Sequence, residues 1–145
     1  MKKLPIGMQD YKELITENFV YVDKTKYLFD MIDSGKFYFI SRPRRFGKSL
    51  TVSALYYLFK GEKELFKDTW IYDKWEFKEY PIIKISMVDI DATSKETIEE
   101  TLKEKLNKIY HDYGIVPISN NLKMMFSGLI EELSKKEKVA LLIDE

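Results

Sequence analysis

Two places in this sequence, Gly47-Lys48-Ser49 and Asp144-Glu145, combine residue types and spacing that suit chemistry on phosphate. Gly47 has no Cβ, so its backbone approaches an anion closely and its amide joins a concave set of N–H donors. Lys48 adds a compact positive charge on a flexible stem that follows the outer phosphates of a nucleotide, and the Ser49 hydroxyl suits a Mg²⁺ ion. Arg44, Arg45 and Phe46 lead into the glycine and Leu50 follows the serine, which makes Arg44 to Leu50 the candidate phosphate-binding run. Either arginine is a candidate for phosphate or partner contact; solvated loop arginines are the plainer alternative. Against the general pattern G-x-x-x-x-G-K-[S/T], Arg42 stands where the first glycine belongs. At the second place the apolar run from Val139 to Ile143 ends in two carboxylates. Asp144 is the candidate for holding Mg²⁺ and Glu145 for polarising an attacking water, so Glu145 and Lys48 are the candidate catalytic residues.

Such groups need rigid elements to hold them. Lys36 to Ser41 is a short aromatic and β-branched run between Gly35 and Pro43, which predicts a buried strand. Gly47-Lys48-Ser49 then opens an apolar helical run, Leu50 to Phe59, followed by Lys60 in the last turn and Gly61 at the position past the cap. A helix starting there turns its unpaired N–H groups and the positive end of its dipole toward the loop, where phosphate is the natural occupant. The plainer alternative is a chance Gly-Lys-Ser tripeptide, and the strand-loop-helix context argues against it. Val139 to Glu145 reads as a strand buried on both faces whose tip reaches the site, against the alternative of a core strand running into a polar turn.

The 145 residues suffice for one domain core. Lysine plus arginine equals aspartate plus glutamate, 24 each, so no global field argues for nucleic acid or an anionic membrane. The absence of cysteine excludes disulfides, thiolate zinc sites and cysteine nucleophiles, and is compatible with a reducing cytoplasm. No apolar run approaches the ~20 residues of a membrane span. Polar residues from Gln9 onward break any signal sequence, so the expected location is cytoplasmic.

The remaining stretches read as scaffold. Leu4 to Tyr11 is turn-rich, Phe19 to Val22 is β-prone, and Thr25 or Asp23 caps a helix over Lys26 to Ser34 that Gly35 ends. Tyr21, Asp23 and Tyr27 precede the expected strand and are candidates for a base pocket, with core packing plus a cap as the plainer reading. Glu62 to Tyr80 is aromatic and charged without periodicity, and its acids offset its lysines, so packing is favoured over base stacking. Ile82 to Val88 predicts a strand, with Asp89 and Asp91 as turn residues at its exit. Thr93 or Ser94, helped by Glu96, caps a long amphipathic helix bearing Ile98, Leu102, Leu106 and Ile109; a second helix is predicted over Ser119 to Lys138. The lone histidine, His111, has no second histidine or cysteine to make a metal site with.

Taken together, Leu4-Pro-Ile-Gly7, Tyr21-Val-Asp-Lys-Thr25, Ser41-Arg-Pro-Arg-Arg-Phe-Gly-Lys-Ser49, Ile71-Tyr-Asp-Lys-Trp75, Tyr80-Pro-Ile-Ile83 and Leu142-Ile-Asp-Glu145 resemble the bacterial and archaeal AAA-ATPase-like family over almost the whole chain. In that family arginine commonly replaces the first loop glycine, so Arg42 fits. The resemblance implies a P-loop NTPase fold, α/β in three layers (α/β/α) with a mainly parallel sheet. Residues 1–35 would form an N-terminal segment and helix, and 36–145 the core through the Asp-Glu strand. Many members carry a C-terminal domain similar to PD-(D/E)XK nucleases, and nothing in these residues matches it. ATPases of this kind usually place one more strand between the phosphate-loop strand and the Asp-Glu strand, so the domain is expected to be incomplete at its C-terminus, the alternative being that the two strands pair directly as in the kinase and GTPase branch of P-loop folds.

The functional expectation is ATP binding with Mg²⁺ and, in the complete domain, ATP hydrolysis coupled to an unknown downstream domain. In this scheme Lys48 neutralises phosphate charge, Ser49 and Asp144 hold Mg²⁺, and Glu145 orients water. The alternative is a nucleotide-dependent switch with little or no hydrolysis. A phosphotransferase is a third option.

Overall fold

Residues 1–145 are described by a computed structural model in which the chain divides at Glu79 and Tyr80 into two units. In the first, helix α1 (Tyr11–Thr16) starts because the Asp10 side chain accepts the Glu13 amide at 2.9 Å. It stops where Asn18 turns left-handed, with Phe19 N–H donating to the Leu14 carbonyl and Asn18 N–H to that of Ile15. The sequence reading had no helix here. Helix α2 (Thr25–Ser34) follows, and Gly35 ends it as expected.

Helix α3 (Lys48–Phe59) closes on Gly61, whose φ of +75° lets the amides of Gly61 and Glu62 return to the carbonyls of Leu58 and Tyr57. Two short 3₁₀ turns, Lys63–Phe66 and Trp70–Asp73, occupy the stretch without periodicity. They carry Phe66 and Ile71, both fully buried, so this segment packs inward. Tyr11 stacks on Phe66 with ring centroids 4.8 Å apart, and Tyr21 meets Tyr11 edge-on at 5.1 Å. Leu14, Leu55 and Leu58 are also buried in this unit, each such side chain contributing about 1.5–3 kcal/mol by leaving water.

The expected strand at Lys36 to Ser41 is not formed. No ladder partner pairs with the run, and Phe37 and Phe39 are 94% and 84% exposed. A pleated segment is a strand only when a neighbour takes its backbone hydrogen bonds, and the β-propensity of these residues does not supply one. The β-prone Phe19 to Val22 contributes a single bridge, Lys3 with Phe19.

In the second unit β1 (Ile82–Ser86) and β2 (Ala140–Asp144) pair in parallel, Ile82 opposite Ala140 and Ser86 opposite Asp144. Helices α4 (Lys95–Asp112) and α5 (Leu122–Ser134) form the crossover. Ser94 caps α4 in a reciprocal box with Thr97, so the partner is Thr97 and not Glu96. Asn121 caps α5 through the Met124 amide, which sets its start three residues later than Ser119. Ile83 and Ile85 pack on Leu106, Tyr110, Met125, Leu129 and Leu133, and the Tyr110 hydroxyl donates to the Met125 carbonyl at 2.7 Å.

The α/β class with parallel pairing is therefore present. The sheet has these two strands alone, and the larger parallel sheet of a three-layer fold is not formed. Nor is β2 buried on both faces: Leu142 is buried, while Leu141 and Ile143 are 42% and 52% exposed.

Candidate functional site

Gly47 is the N-cap of α3, with φ +79° and ψ +23°. This left-handed geometry costs a residue with a Cβ about 1–2 kcal/mol, while open space surrounds the position where a Cβ would sit. The requirement for glycine here is conformational, not steric. The first helical bond is Thr51 N–H to the Gly47 carbonyl at 2.9 Å, reinforced by the Thr51 hydroxyl at 2.8 Å. The amides of Lys48, Ser49 and Leu50 lie in the turn before it and need acceptors from outside the helix. No side chain caps this end.

Arg44, Arg45, Phe46 and Gly47 are exposed, and Lys48, Ser49 and Leu50 are half-buried. Arg45 also lies in the left-handed region, at φ +66°, an uncommon conformation for a residue with a side chain. The loop thus holds two left-handed residues, 45 and 47, immediately before a twelve-residue helix. Chemically, that end of α3 offers N–H donors, a helix dipole, a lysine and a hydroxyl to an anion.

α3 is anchored from α1. Asp10, having capped α1 with Oδ1, accepts the Tyr57 hydroxyl at 2.9 Å and the Ser53 hydroxyl at 3.4 Å with Oδ2. Ser53, itself buried, accepts the Tyr11 amide at 2.8 Å. Burial, then the bond to the Asp10 carboxylate, pushes the Tyr57 hydroxyl well above the ordinary tyrosine range, so it stays a donor. None of Asp10, Ser53 and Tyr57 was marked as a site residue by sequence reasoning. The signal for Asp10 was its spacing to Glu13, an N-cap pattern.

Asp23 is occupied structurally. Its Oδ1 accepts the amide and hydroxyl of Thr25, and its Oδ2 accepts the Trp70 amide at 2.7 Å; the buried Thr25 hydroxyl in turn accepts the Ile71 amide at 3.2 Å. Tyr27 is exposed, and Tyr21 packs on Tyr11 with its hydroxyl pushed up to about 12 by burial and then by the Asp23 charge. Asp23 and Thr25 tie the start of α2 to the second 3₁₀ turn, but neither caps the helix, which starts at Thr25 from Lys24 without a side-chain cap bond, and the exposed Tyr27 takes no part.

In the second unit, Asp144 is the last ladder residue of β2 and its carbonyl accepts the Met87 amide at 2.7 Å; Glu145 follows, exposed. No three or more His, Cys, Asp or Glu side chains converge as a metal cage. Mg²⁺ that travels with a nucleotide is held by one or two protein oxygens plus phosphates and waters, and a serine hydroxyl and an aspartate are donors of that kind.

Compared with known proteins, residues 5–145 match the model of a family described as predicted AAA-ATPase. The chain is 34% identical over 148 aligned positions to the "Uncharacterized protein in vnfD 5'region" of Azotobacter chroococcum mcd 1, covering 99% of this chain and 29% of that protein. The chain thus spans less than a third of the relative's length. No solved structure matches it. No helix is long and apolar enough to cross a membrane.

Proposed function

Since the chain belongs to the AAA-ATPase-like family, we propose that it binds ATP with Mg²⁺ through the N-terminus of α3, and that it contributes Asp144 and Glu145 to ATP hydrolysis. The observation that carries the reading is Gly47, a left-handed N-cap without a side-chain cap, followed directly by Lys48 and Ser49. A helix of this length beginning so supplies free amides and a positive dipole end to a polyphosphate.

The roles follow from residue chemistry. Lys48 pairs with the outer phosphates as a mobile point charge, and the amides of Lys48, Ser49 and Leu50 cradle them. Arg44 and Arg45 add charge from the loop, and Phe46 flanks the glycine. Mg²⁺, when bound with the nucleotide, spreads the developing negative charge, and Ser49 and Asp144 are the residues assigned to hold it. Glu145 orients the attacking water. In a protein of the relative's length the nucleotide cycle would act on the remaining chain, for which a nuclease-like domain is the family precedent, and a cytoplasmic location fits the absence of cysteine.

Titration calorimetry with MgATP tests the binding claim. The parent chain is expected to bind, and Lys48→Ala to lose at least about tenfold in affinity, the worth of a charge-assisted partner. Equal affinity in parent and variant refutes it. Hydrolysis is read separately, by single-turnover cleavage in a chain continued past Glu145, where Glu145→Gln is expected to retain binding and lose cleavage.

A further inference from the structure

We propose that Asp10 is a positioning residue for the phosphate-binding end of α3, holding that helix in register through Ser53 and Tyr57; this rests on the nucleotide-binding reading given above. Both oxygens of the Asp10 carboxylate are engaged, one by α1 and one by α3. Capping α1 needs only the first. The second reaches residues 53 and 57, which lie one turn apart on one stripe of α3, and Ser49 lies one turn before Ser53 on the same stripe.

A carboxylate gripping two positions of a stripe fixes rotation about the helix axis, which burial of an apolar face fixes less sharply. α3 is the case where this matters. Its residues are apolar nearly all round, Leu50, Val52, Ala54, Leu55, Leu58 and Phe59 among them, so hydrophobic contact alone defines its rotation poorly. A turn of ~20° about the axis moves a Cα by ~0.8 Å. That exceeds the ~0.5 Å within which binding groups must be held. The Tyr11 amide bonded to Ser53 ties the same stripe to the backbone of α1, and Tyr11 is itself wedged on Phe66 with its hydroxyl donating to the Leu65 carbonyl at 3.0 Å. The phosphate end of α3 is thus referenced, through Asp10 and Tyr11, to the aromatic core of the first unit.

Asp10→Ser retains an N-cap for α1, since serine caps as well as aspartate, but leaves no second oxygen for α3. Tyr57→Phe removes the shorter of the two contacts from the other side and leaves the Ser53 contact in place. Each variant of the 145-residue chain is expected to bind a fluorescent ATP analogue with Mg²⁺ about fivefold to tenfold more weakly, and the double variant no more weakly than Asp10→Ser alone, because that single already removes the Tyr57 contact. Unchanged affinity in both singles, or losses that add in the double, overturns the proposal. A lowered unfolding midpoint with unchanged affinity marks a merely structural bridge and overturns it too. Amide chemical shifts of Gly47 to Thr51 in the nucleotide-free chain give a second, independent arm. They are expected to move in the same direction in both singles, and shifts that stay fixed overturn the assignment. If the parent binds no nucleotide, the functional reading has failed and this arm alone decides the role of Asp10.

Discussion

Gly61 and Phe77 approach so closely that a Cβ on residue 61 would lie 2.5 Å from the Phe77 carbonyl oxygen. Gly61 also sits at φ +75°, so alanine there meets a conformational and a steric penalty together. The opposing atom is backbone and does not swing aside. Gly61→Ala is expected to destabilise the chain by about 2–4 kcal/mol, read as a lower urea midpoint. A loss under about 1 kcal/mol would mean that the turn after α3 repacks freely.

Gly47 separates the two penalties, because its Cβ position is open. Gly47→Ala is expected to cost only about 1 kcal/mol of stability, the left-handed term alone, and Gly47→Asn less. Nucleotide affinity is expected to fall further than stability in Gly47→Ala, since a residue that leaves the left-handed region turns its amide away. Parallel calorimetry and denaturation check the ordering.

Arg45 is the converse, a side chain held where glycine would be more comfortable. Arg45→Gly is expected to leave stability unchanged or raise it by up to about 1 kcal/mol while weakening MgATP binding several-fold. A variant both destabilised and normal in binding would show that the arginine is held for packing instead.

Thr25 tests the link between α2 and the second 3₁₀ turn. Its hydroxyl is buried, and Thr25→Val leaves the Ile71 amide without its acceptor. The expected cost is about 1–3 kcal/mol, with Thr25→Ser much milder. Thermal unfolding of the two variants side by side decides it.

Alkaline pH should unfold the chain through its tyrosines. Burial holds the Tyr11 hydroxyl well above its ordinary value of 10.0, with the charges of Tyr21, Asp23 and Asp68 adding to it. The native state therefore keeps a proton that the unfolded state releases. That contribution is fully present below pH 10 and is lost as pH rises toward the folded-state value. Between pH 10 and 12 the stability is expected to fall by about 1.4 kcal/mol per pH unit for Tyr11. Tyr11→Phe should flatten the slope by that amount, whatever it does to stability at pH 7.

The helix with the candidate phosphate end was legible because its signals are local: glycine before it, an apolar run within it, Lys60 and Gly61 after it. The strand Ile82–Ser86 was legible from its three isoleucines, Ala140–Asp144 from the continuous apolar run that leads into Asp144, and α4 through its cap. The run Lys36 to Ser41 carries equally strong local preference and forms no strand, since a strand is defined by a neighbour that composition does not name. Asp10 and Asp23 were invisible in their main roles for the same reason. Their partners Tyr57 and Trp70 lie 47 positions away along the chain, beyond any periodicity.

The pairing of residue 82 with residue 140 has a consequence for the birth of the chain. At ~5–20 residues per second of synthesis, β1 leaves the ribosome about 3–12 seconds before the strand that will pair with it exists. Through that interval Ile82, Ile83 and Ile85 form an apolar segment with bare backbone edges, open to another nascent chain. One residue interrupts it: Lys84, exposed at the middle of the strand, places a charge where an intruding strand would have to align. Lys84→Val is therefore expected to lower the soluble yield in cell-free translation, with the deficit growing as translation is slowed.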